Sequence, residues 1–408
     1  MRLSIVLAIS TVLIACSSKP KPVMKAGIWR GTIAMQGQVL PFNFSTTKDS
    51  SGKWNAYLKN GEENLLLDEI SIHDDSVTMN LHIFDSKLVA LIDGDSLKGF
   101  FIKNYDPNYK LPFKAAFGQD YRFAKTDNQS SSTDFSGKYA VTFIHEKDTT
   151  QAIGIFKQDH NHVTGSFLTP TGDYRFLEGS VINNVLHLST FDGNYAYLFT
   201  AEKKDGILRG EYWSGKSRYE TWTGIKNENA SLPDAESLTY LKPGYDKIDF
   251  KFPDVDGKII SLSDAKYKNK VVILQLFGTW CPNCMDETKF LAPWYKINQS
   301  RGVEIIGLAY ERKDDFTYAS ARVKKMKDKL SVDYDFVIAG TNDKAKAALT
   351  LPMLSSVVAF PTTIFIGRDG KVKKIHTGFS GPGTGVYYDE FIQQFNNTMN
   401  ELLKENVN

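Results

Sequence analysis

Two cysteines in the second half of the chain stand between a strand-like run and a helix-like run. Cys281 and Cys284 follow Val271–Phe277, whose nearly unbroken apolar character predicts a buried strand. Residues 285–296 have the pattern of a helix, so the pair lies at a helix start. Two thiols at this spacing can close a short disulfide or open to a dithiol, and the positive end of the helix dipole favours ionisation of the first thiol. The sequence therefore predicts a strand, a turn that carries two thiols, and a helix.

Cysteine usage separates this pair from other roles for thiols. The chain has three cysteines, and the third, Cys16, lies near the N-terminus. A structural zinc site needs four ligands, and neither a second CxxC nor a nearby histidine accompanies Cys281 in the sequence. His160 and His162 lack a third ligand in sequence and are predicted to be surface turn residues. We therefore expect no metal site and no cofactor, and we expect the pair to serve thiol chemistry.

Length and composition limit the class of protein. At 408 residues the chain is too long for one ordinary hydrophobic core, so two or three domains are expected. Hydrophobic residues make up 42% of the chain and charged residues 24%, which is typical of a globular protein. The formal net charge is +2 and no basic run stands out, so nucleic acid is not an expected partner.

The first fifteen residues have the pattern of an export signal. Arg2 precedes an apolar stretch, residues 3–15, that is too short for a typical membrane span. The stretch ends in Ala15-Cys16, which resembles the lipobox of bacterial lipoproteins, and this resemblance implies cleavage before Cys16 and lipid on its thiol. The alternative is an ordinary secretory signal that contains a cysteine. With a tether at 16–24 and Ser17 rather than Asp, we expect a lipid anchor facing the periplasm, at the outer rather than the inner membrane.

Residues 25–227 are predicted to be all-β, because apolar residues alternate in short runs broken by turn signals such as Asn60-Gly61. Segments recur in the same order about 110 residues apart, for example GIWRGT at 27–32 and GKYAVT at 137–142. We predict two copies, residues 25–126 and 134–227, with five or six strands each. They form either separate sheets or, together, one barrel or sandwich. Chance similarity between β-rich segments is the alternative.

The pattern changes after a predicted linker at 228–243. Strands and helices alternate through residues 244–408, which implies a mixed central sheet covered by helices on both faces. The predicted fold class is therefore a multidomain chain in which a duplicated all-β region precedes an α/β domain. The expected elements are a hairpin around Asp256-Gly257, strands at 271–277, 303–309 and 334–339, helices at 285–296, 316–330, 342–349 and 388–403, and a closing hairpin with strands at 362–366 and 372–377.

Residues 245–405 resemble the thioredoxin-fold, membrane-associated thiol–disulfide oxidoreductases of the TlpA/ResA type. The strand that runs into Trp280-Cys281-Pro282-Asn283-Cys284 carries the resemblance, together with Glu287 and the hairpin at 254–262. Phe360-Pro361-Thr362-Thr363 stands where this family has its cis-proline. The resemblance implies a thioredoxin fold with a mixed central sheet, and it says nothing about residues 25–227.

The resemblance also implies a role for each matched position. Cys281 would be the exposed nucleophile, whose thiolate attacks a substrate disulfide, and Cys284 the buried thiol that resolves the mixed disulfide. Pro361 in the cis form would face the pair and leave the preceding backbone edge free for a substrate strand. The substrate groove would be bordered by Trp280, Pro282, Phe360, Thr362, Gly378 and Phe379.

Glu287 is the predicted proton carrier of the site. It lies one helical turn after Cys284, where a partly buried carboxyl with a raised pKa can take the proton from the resolving thiol. Ordinary thioredoxin carries a buried aspartate on the strand, and this chain has Gln275 at that position, which cannot titrate. The alternative is that Glu287 is a solvated residue on the helix surface.

These features predict a lipid-anchored disulfide reductase or isomerase of the cell envelope. Its expected partners are protein disulfides and an upstream thiol that donates electrons. A thiol peroxidase on the same fold is one alternative, although no arginine lies near Cys281 in the sequence. The other is that the β region is the working part, a binding module for a polysaccharide, lipid or protein, and that the redox domain is accessory.

Overall fold

The structure is a computed structural model that describes residues 23–125 and 132–405. The predicted export signal, most of the tether and Cys16 lie outside the described residues. So does part of the boundary between the two β copies. Within the described ranges, no helix is both long and apolar enough to cross a membrane.

The first β unit is one antiparallel sheet of nine strands. Their order across the sheet is β4-β3-β2-β1-β9-β8-β7-β6-β5, so the chain runs outward from β1, returns from the far edge and closes beside β1 with β9. The strands are β1 (Gly27–Met35), β2 (Gln38–Lys48), β3 (Trp54–Asn60), β4 (Glu63–Leu67), β5 (Ile70–His73), β6 (Ser76–Asn80), β7 (Ser86–Asp93), β8 (Ser96–Lys103) and β9 (Lys110–Phe117).

The second β unit repeats this plan and closes into a barrel. Its order is β11-β10-β18-β17-β16-β15-β14-β12-β13, and β11 also pairs with β12, which joins the two ends. The strands are β10 (Gly137–His145), β11 (Asp148–Asp159), β12 (His162–Thr169), β13 (Gly172–Asp173), β14 (Leu177–Ile182), β15 (Val185–Phe191), β16 (Ala196–Lys204), β17 (Ile207–Ser214) and β18 (Arg218–Lys226).

The two units match strand for strand, because each strand of the second begins about 110 residues after its counterpart in the first. They are separate sheets rather than one shared barrel. The prediction of five or six strands per copy is wrong, since each has nine. Very short turns explain the error. Gln36-Gly37 turns the chain with φ of 51° and 76°, so that apolar alternation in the sequence runs through two strands at once.

Aromatic side chains fill the interior of the barrel. The ring of Phe167 lies 5.1 Å from that of Phe143, 5.0 Å from that of Phe199 and 5.2 Å from that of Trp222, measured between centroids. All four residues are buried. The centre of the barrel is therefore a packed core.

The α/β domain begins after residue 243 and has a five-stranded mixed sheet in the order β23-β22-β21-β24-β25. β21, β22 and β23 run parallel to one another, and β24 pairs antiparallel with both β21 and β25. Its strands are β19 (Phe252–Pro253), β20 (Ile259–Ile260), β21 (Val271–Phe277), β22 (Val303–Glu311), β23 (Asp335–Thr341), β24 (Thr362–Ile366) and β25 (Val372–Thr377), and its helices α1 (Pro282–Asn298), α2 (Phe316–Lys329), α3 (Lys344–Thr350) and α4 (Val386–Lys404), with 3₁₀ turns at Gln299–Arg301 and Pro382–Thr384.

The packing of this domain confirms the predicted fold class. β21 is buried at every position, as its apolar run predicts. α1 and α4 pack together on one face through Phe395, whose ring lies 5.0 Å from that of Phe290 and 5.1 Å from that of Trp294. Phe365 of β24 lies 5.5 Å beneath the same ring. The sheet thus holds the start of α1 at the carboxyl end of β21.

The linker does not hang free between the units. The backbone N–H of Thr377 donates to Ala235 at 3.0 Å, and that of Ser355 donates to Tyr240 at 2.7 Å. At its other end, Asn227 donates to Lys138 of the second β unit at 2.9 Å. The linker is therefore bound at both ends, and residues 231–234 between those ends are mostly exposed.

Candidate active site

The two cysteines lie at the start of α1, just after the turn that follows β21. Cys281 is the N-cap of α1, Pro282 is its first residue, and the two cysteines form a disulfide with their Cα atoms 5.2 Å apart. The backbone N–H of Cys284 donates to Sγ of Cys281 at 3.1 Å. This N–H and the positive end of the helix would stabilise a thiolate at Cys281 once the disulfide is reduced.

Pro361 faces this pair from the start of β24. The Phe360–Pro361 peptide bond is cis, the form that the resemblance implies. The carbonyl oxygen of Phe360 lies 3.5 Å from Sγ of Cys281. The ring of Phe360 packs edge-on against Trp280, with 5.8 Å between centroids. The structure thus brings the CxxC motif and the proline loop together.

Glu287 is buried beneath the disulfide rather than solvated on the helix surface. Its side chain is in α1, one turn beyond Cys284, and the residue is 1% exposed. Gln275 donates to Oε2 at 2.7 Å and Thr363 donates to Oε1 at 2.6 Å. Burial raises the pKa of Glu287 to about 7, and the two hydrogen bonds oppose this rise. A carboxyl with this pKa can exchange a proton near neutral pH.

Gln275 occupies the strand position where ordinary thioredoxin has an acid, and it serves the carboxyl of Glu287. Its amide also donates to the hydroxyl of Thr288 at 3.1 Å, and Tyr334 donates to its oxygen at 3.5 Å. These bonds fix the amide so that its N–H points at Glu287. The buried carboxyl of this site is therefore on α1, and the strand supplies a fixed donor to it.

Sequence reasoning missed a second buried carboxyl, Glu311. It ends β22, is 1% exposed, and accepts hydrogen bonds from the backbone N–H and hydroxyl of Thr279 at 2.8 and 2.9 Å. Burial raises its pKa. Glu311 thereby fixes the turn that carries Trp280 and Cys281. The available signal was a glutamate at the end of an otherwise apolar strand, 30 residues from the motif it supports.

The nucleophile is covered, which differs from the expectation of an exposed thiol. Cys281 is 2% exposed and Cys284 is fully buried. A segment of the second β unit, Gly172–Arg175, lies against the CxxC motif, and we call it the covering segment. Asn283 of the CxxC motif donates to the carbonyl of Asp173 at 3.2 Å, and Tyr195 donates to Asn283 at 3.2 Å.

Arg175 ties the covering segment to helix α1. Its guanidinium contacts Asp286 through two bonds of 2.7 and 3.0 Å, Asp192 at 2.8 Å and Glu63 at 2.6 Å. These three carboxylates belong to the α/β domain, the second β unit and the first β unit. All four side chains are nine-tenths buried or more. No sequence pattern predicts this cluster, because its members are up to 223 positions apart, from Glu63 to Asp286.

The remaining predicted groove residues divide into two sets. Three of these residues are buried beside the motif, namely Pro282, Phe360 and Gly378, and Trp280 is half-buried. Gly378 lies against the second β unit, where a Cβ on it would come within 3.1 Å of Pro170. Thr362 and Phe379 form the other set. Thr362 is fully buried and donates to Ala359, and Phe379 packs on Phe391 with 4.9 Å between ring centroids. Both side chains are buried in this arrangement, and their place at a substrate groove stays a prediction.

The raised pKa of Glu287 predicts how stability depends on pH. The folded state binds this proton more tightly than the unfolded chain, whose pKa is near 4.5. Its contribution is therefore complete below pH 4.5 and is lost as the pH rises to about 7. The loss is about 3 kcal/mol in free energy of unfolding. Urea denaturation of wild type and Glu287→Gln should show a difference that changes by this amount, whereas the exposed Glu390→Gln should track wild type throughout.

The fold and the site together define a thioredoxin-fold thiol–disulfide oxidoreductase. The family model described as AhpC/TSA family matches residues 243–375. The thiol–disulfide oxidoreductase ResA of Bacillus subtilis (strain 168) is 31% identical over 150 residues, which cover 37% of this chain and 74% of that protein. ResA of Geobacillus thermodenitrificans (strain NG80-2) is 32% identical over 130 residues, which cover 32% and 66%. Through its α/β domain the chain belongs to the ResA family.

Solved structures of similar fold also match this part of the chain. One is a putative protein disulfide isomerase from Bacteroides thetaiotaomicron, with 23% identity, a TM-score of 0.30, and coverage of 41% of this chain and 93% of that one. Another is a putative thiol:disulfide interchange protein DsbE from Chlorobium tepidum, with 20% identity, a TM-score of 0.30, and coverage of 39% and 98%.

Proposed function

We propose that this protein reduces or isomerises disulfide bonds of proteins in the bacterial cell envelope, while lipid on Cys16 holds it at a membrane. The observation that carries the redox part is the Cys281–Cys284 disulfide at the start of α1, with the carbonyl of Phe360 at 3.5 Å. A backbone edge beside the nucleophile suits an extended protein segment, because main-chain groups can bind it whatever its side chains.

The reaction starts from the dithiol. The thiolate of Cys281 attacks one sulfur of a substrate disulfide, a new S–S bond forms between them, and the other substrate sulfur leaves as a thiolate. Glu287 then accepts the proton of Cys284, whose thiolate attacks Sγ of Cys281 and releases the second substrate sulfur. Two electrons have passed to the substrate, and the disulfide between Cys281 and Cys284 has formed. A separate thiol donor must return the two electrons before the next cycle.

Insulin reduction tests this proposal. Protein lacking the lipid anchor, mixed with insulin and a dithiol donor, should accelerate precipitation of the freed B chain over the donor alone. No acceleration would overturn the proposal. A parallel assay with hydrogen peroxide addresses the peroxidase alternative. We expect slow peroxide consumption, because the structure pairs Cys281 with Cys284 instead of leaving it as a single peroxide-reactive thiol.

The membrane part of the proposal has its own prediction. Its support is the sequence Leu13-Ile14-Ala15-Cys16 and the apolar run before it. Full-length protein should pellet with membranes, mainly in the outer-membrane fraction of a density gradient, and Cys16→Ala should lose this association because no thiol accepts lipid. Cys281→Ser is the control and should stay with the membrane. A membrane-bound Cys16→Ala protein would contradict the anchor.

A further inference from the structure

The two β units are joined to each other by aromatic packing and by several hydrogen bonds, among them Ser189 to Pro41 at 2.6 Å and Arg122 to Glu178 at 2.8 Å. The ring of Phe191 of the second unit lies 4.5 Å from that of Phe42 and 5.0 Å from that of Phe101, both of the first unit. Asn60 adds a buried hydrogen bond of 3.0 Å to the carbonyl of Phe191. Such a contact has the character of a protein core, so the two units are expected to move as one body.

Contacts between this β body and the α/β domain include many polar groups. Lys325 pairs with Glu69 at 2.8 Å, and Tyr318 donates to Asp85 at 2.9 Å. On the active-site side, the backbone N–H of Gly381 donates to the carboxylate of Asp173 at 2.6 Å. Water can replace partners of this kind when two surfaces separate, whereas apolar side chains of the first unit and of the α/β domain share one buried cluster and oppose separation.

The Arg175 cluster makes the closed arrangement finely balanced. One buried guanidinium faces three carboxylates, and Lys289 approaches Asp286 only at 3.8 Å. Burial and the neighbouring carboxylates Asp286 and Asp192 raise the pKa of Glu63, although Arg175 opposes this. One guanidinium and three carboxyl groups are thus held out of water together, and separation of the surfaces would return part of this cluster to solvent.

The covering segment lies against the CxxC motif and the loop after β25, which includes the predicted groove residue Gly378. Gly383 approaches the covering segment so closely that a Cβ at this position would be 2.7 Å from the backbone of Arg175. Gly378 lies near the start of the segment and the residues just before it. The side chain of Asn283, between the two cysteines, forms hydrogen bonds with Asp173 and Tyr195, which both belong to the second β unit. Between the bound ends of the linker, Ser231, Pro233 and Asp234 are exposed, while Leu232 packs against the second β unit, so a swing would bend the chain after Leu232.

We propose that the covering segment is an internal occupant of the substrate-docking surface, latched by the Arg175–Asp286 pair, and that protein substrates compete with it for Cys281. This inference rests on the proposed function for its substrate. It implies that the closed form shields the redox pair and that the β body must swing away before an extended protein segment can dock. The surface released beside Asn283 and Gly381 then offers the same backbone and amide donors to the incoming chain.

Alkylation tests the inference without any substrate. In chains starting at residue 17 with Cys284→Ser, the remaining thiol is Cys281, and its rate with polyethylene-glycol maleimide reports how often the cover opens. Arg175→Gln should raise this rate about 100-fold, because an unpaired cluster of buried carboxylates drives opening. Tyr195→Phe, which removes one hydrogen bond to Asn283, should raise it about fivefold. The exposed Arg209→Gln is the matched control and should leave it unchanged.

The outcomes separate the two proposals. Equal rates in wild type, Arg175→Gln and Tyr195→Phe would overturn the cover. If Arg175→Gln does not fold, Tyr195→Phe decides alone, with an increased rate supporting the cover and an unchanged rate overturning it. Insulin reduction is scored separately, so a protein whose alkylation responds as expected but which reduces no disulfide would refute the proposed function and leave the cover standing.

Discussion

Replacing Cys281 with serine is expected to abolish reduction of protein disulfides, with a loss of more than about 10³-fold. A serine hydroxyl does not ionise near neutral pH. The helix N-terminus and the N–H of Cys284, which stabilise a thiolate at this position, therefore cannot activate it as a nucleophile. Insulin reduction at saturating dithiol donor measures the loss.

Cys284→Ser should fail at a later step. Cys281 remains able to attack, so one equivalent of mixed disulfide should form and then persist, because no second thiol can release it. Thermal unfolding of both variants provides the control for folding, since oxygen for sulfur is a small change at two buried positions. Cys281→Ser with a tenth or more of wild-type activity would contradict the assignment of the nucleophile.

The second large effect is expected for Glu287→Gln, which should slow release of the mixed disulfide about 10²-fold. The carboxylate form must accept the proton of Cys284, so the wild-type rate of this step should rise with pH through about 7, the pKa of Glu287. Glutamine keeps the shape and accepts the bond from Thr363, but it takes no proton. The rise through pH 7 should therefore disappear in the variant.

Stopped-flow measurement of each half-reaction separates this role from a structural one. Attack by Cys281 should change little in Glu287→Gln, whereas resolution by Cys284 should carry the loss. Glu390→Gln, on the exposed face of α4, is the matched control and should behave as wild type. An unchanged pH profile in Glu287→Gln, or an equal loss in both half-reactions, would assign the proton transfer to another group.

Local sequence patterns were enough to predict most of the α/β domain. Val271–Phe277, Thr362–Ile366 and Val372–Thr377 are strands with the predicted bounds, because each is a short apolar run between clear turn signals. The position of Glu287 beneath the disulfide followed from helical spacing alone, since a residue three positions after Cys284 must share its face. Its burial and raised pKa depend on Gln275 and Thr363, which the fold brings from two strands.

The covered nucleophile could not be predicted in this way. Exposure of Cys281 was inferred from a resemblance that includes only the α/β domain, whereas the covering segment that contacts the motif at Asn283 lies more than 100 positions earlier in the chain. Contacts such as Arg175–Asp286 leave no periodic signal, because each partner lies in an irregular turn or a helix start that would fold in the same way without the other. The contact of the β region with the CxxC motif therefore could not be predicted from the sequence pattern of the β region itself.

Trapping of the mixed disulfide is the most direct test of the central claim that Cys281 attacks protein disulfides and Cys284 resolves the product. Cys284→Ser protein should be incubated with insulin, quenched with acid, and analysed by intact mass and by peptide mapping. We expect one insulin chain joined to Cys281, which reductant removes and which is absent from a Cys281→Ser/Cys284→Ser double variant. No adduct, or an equal adduct in the double variant, would contradict it.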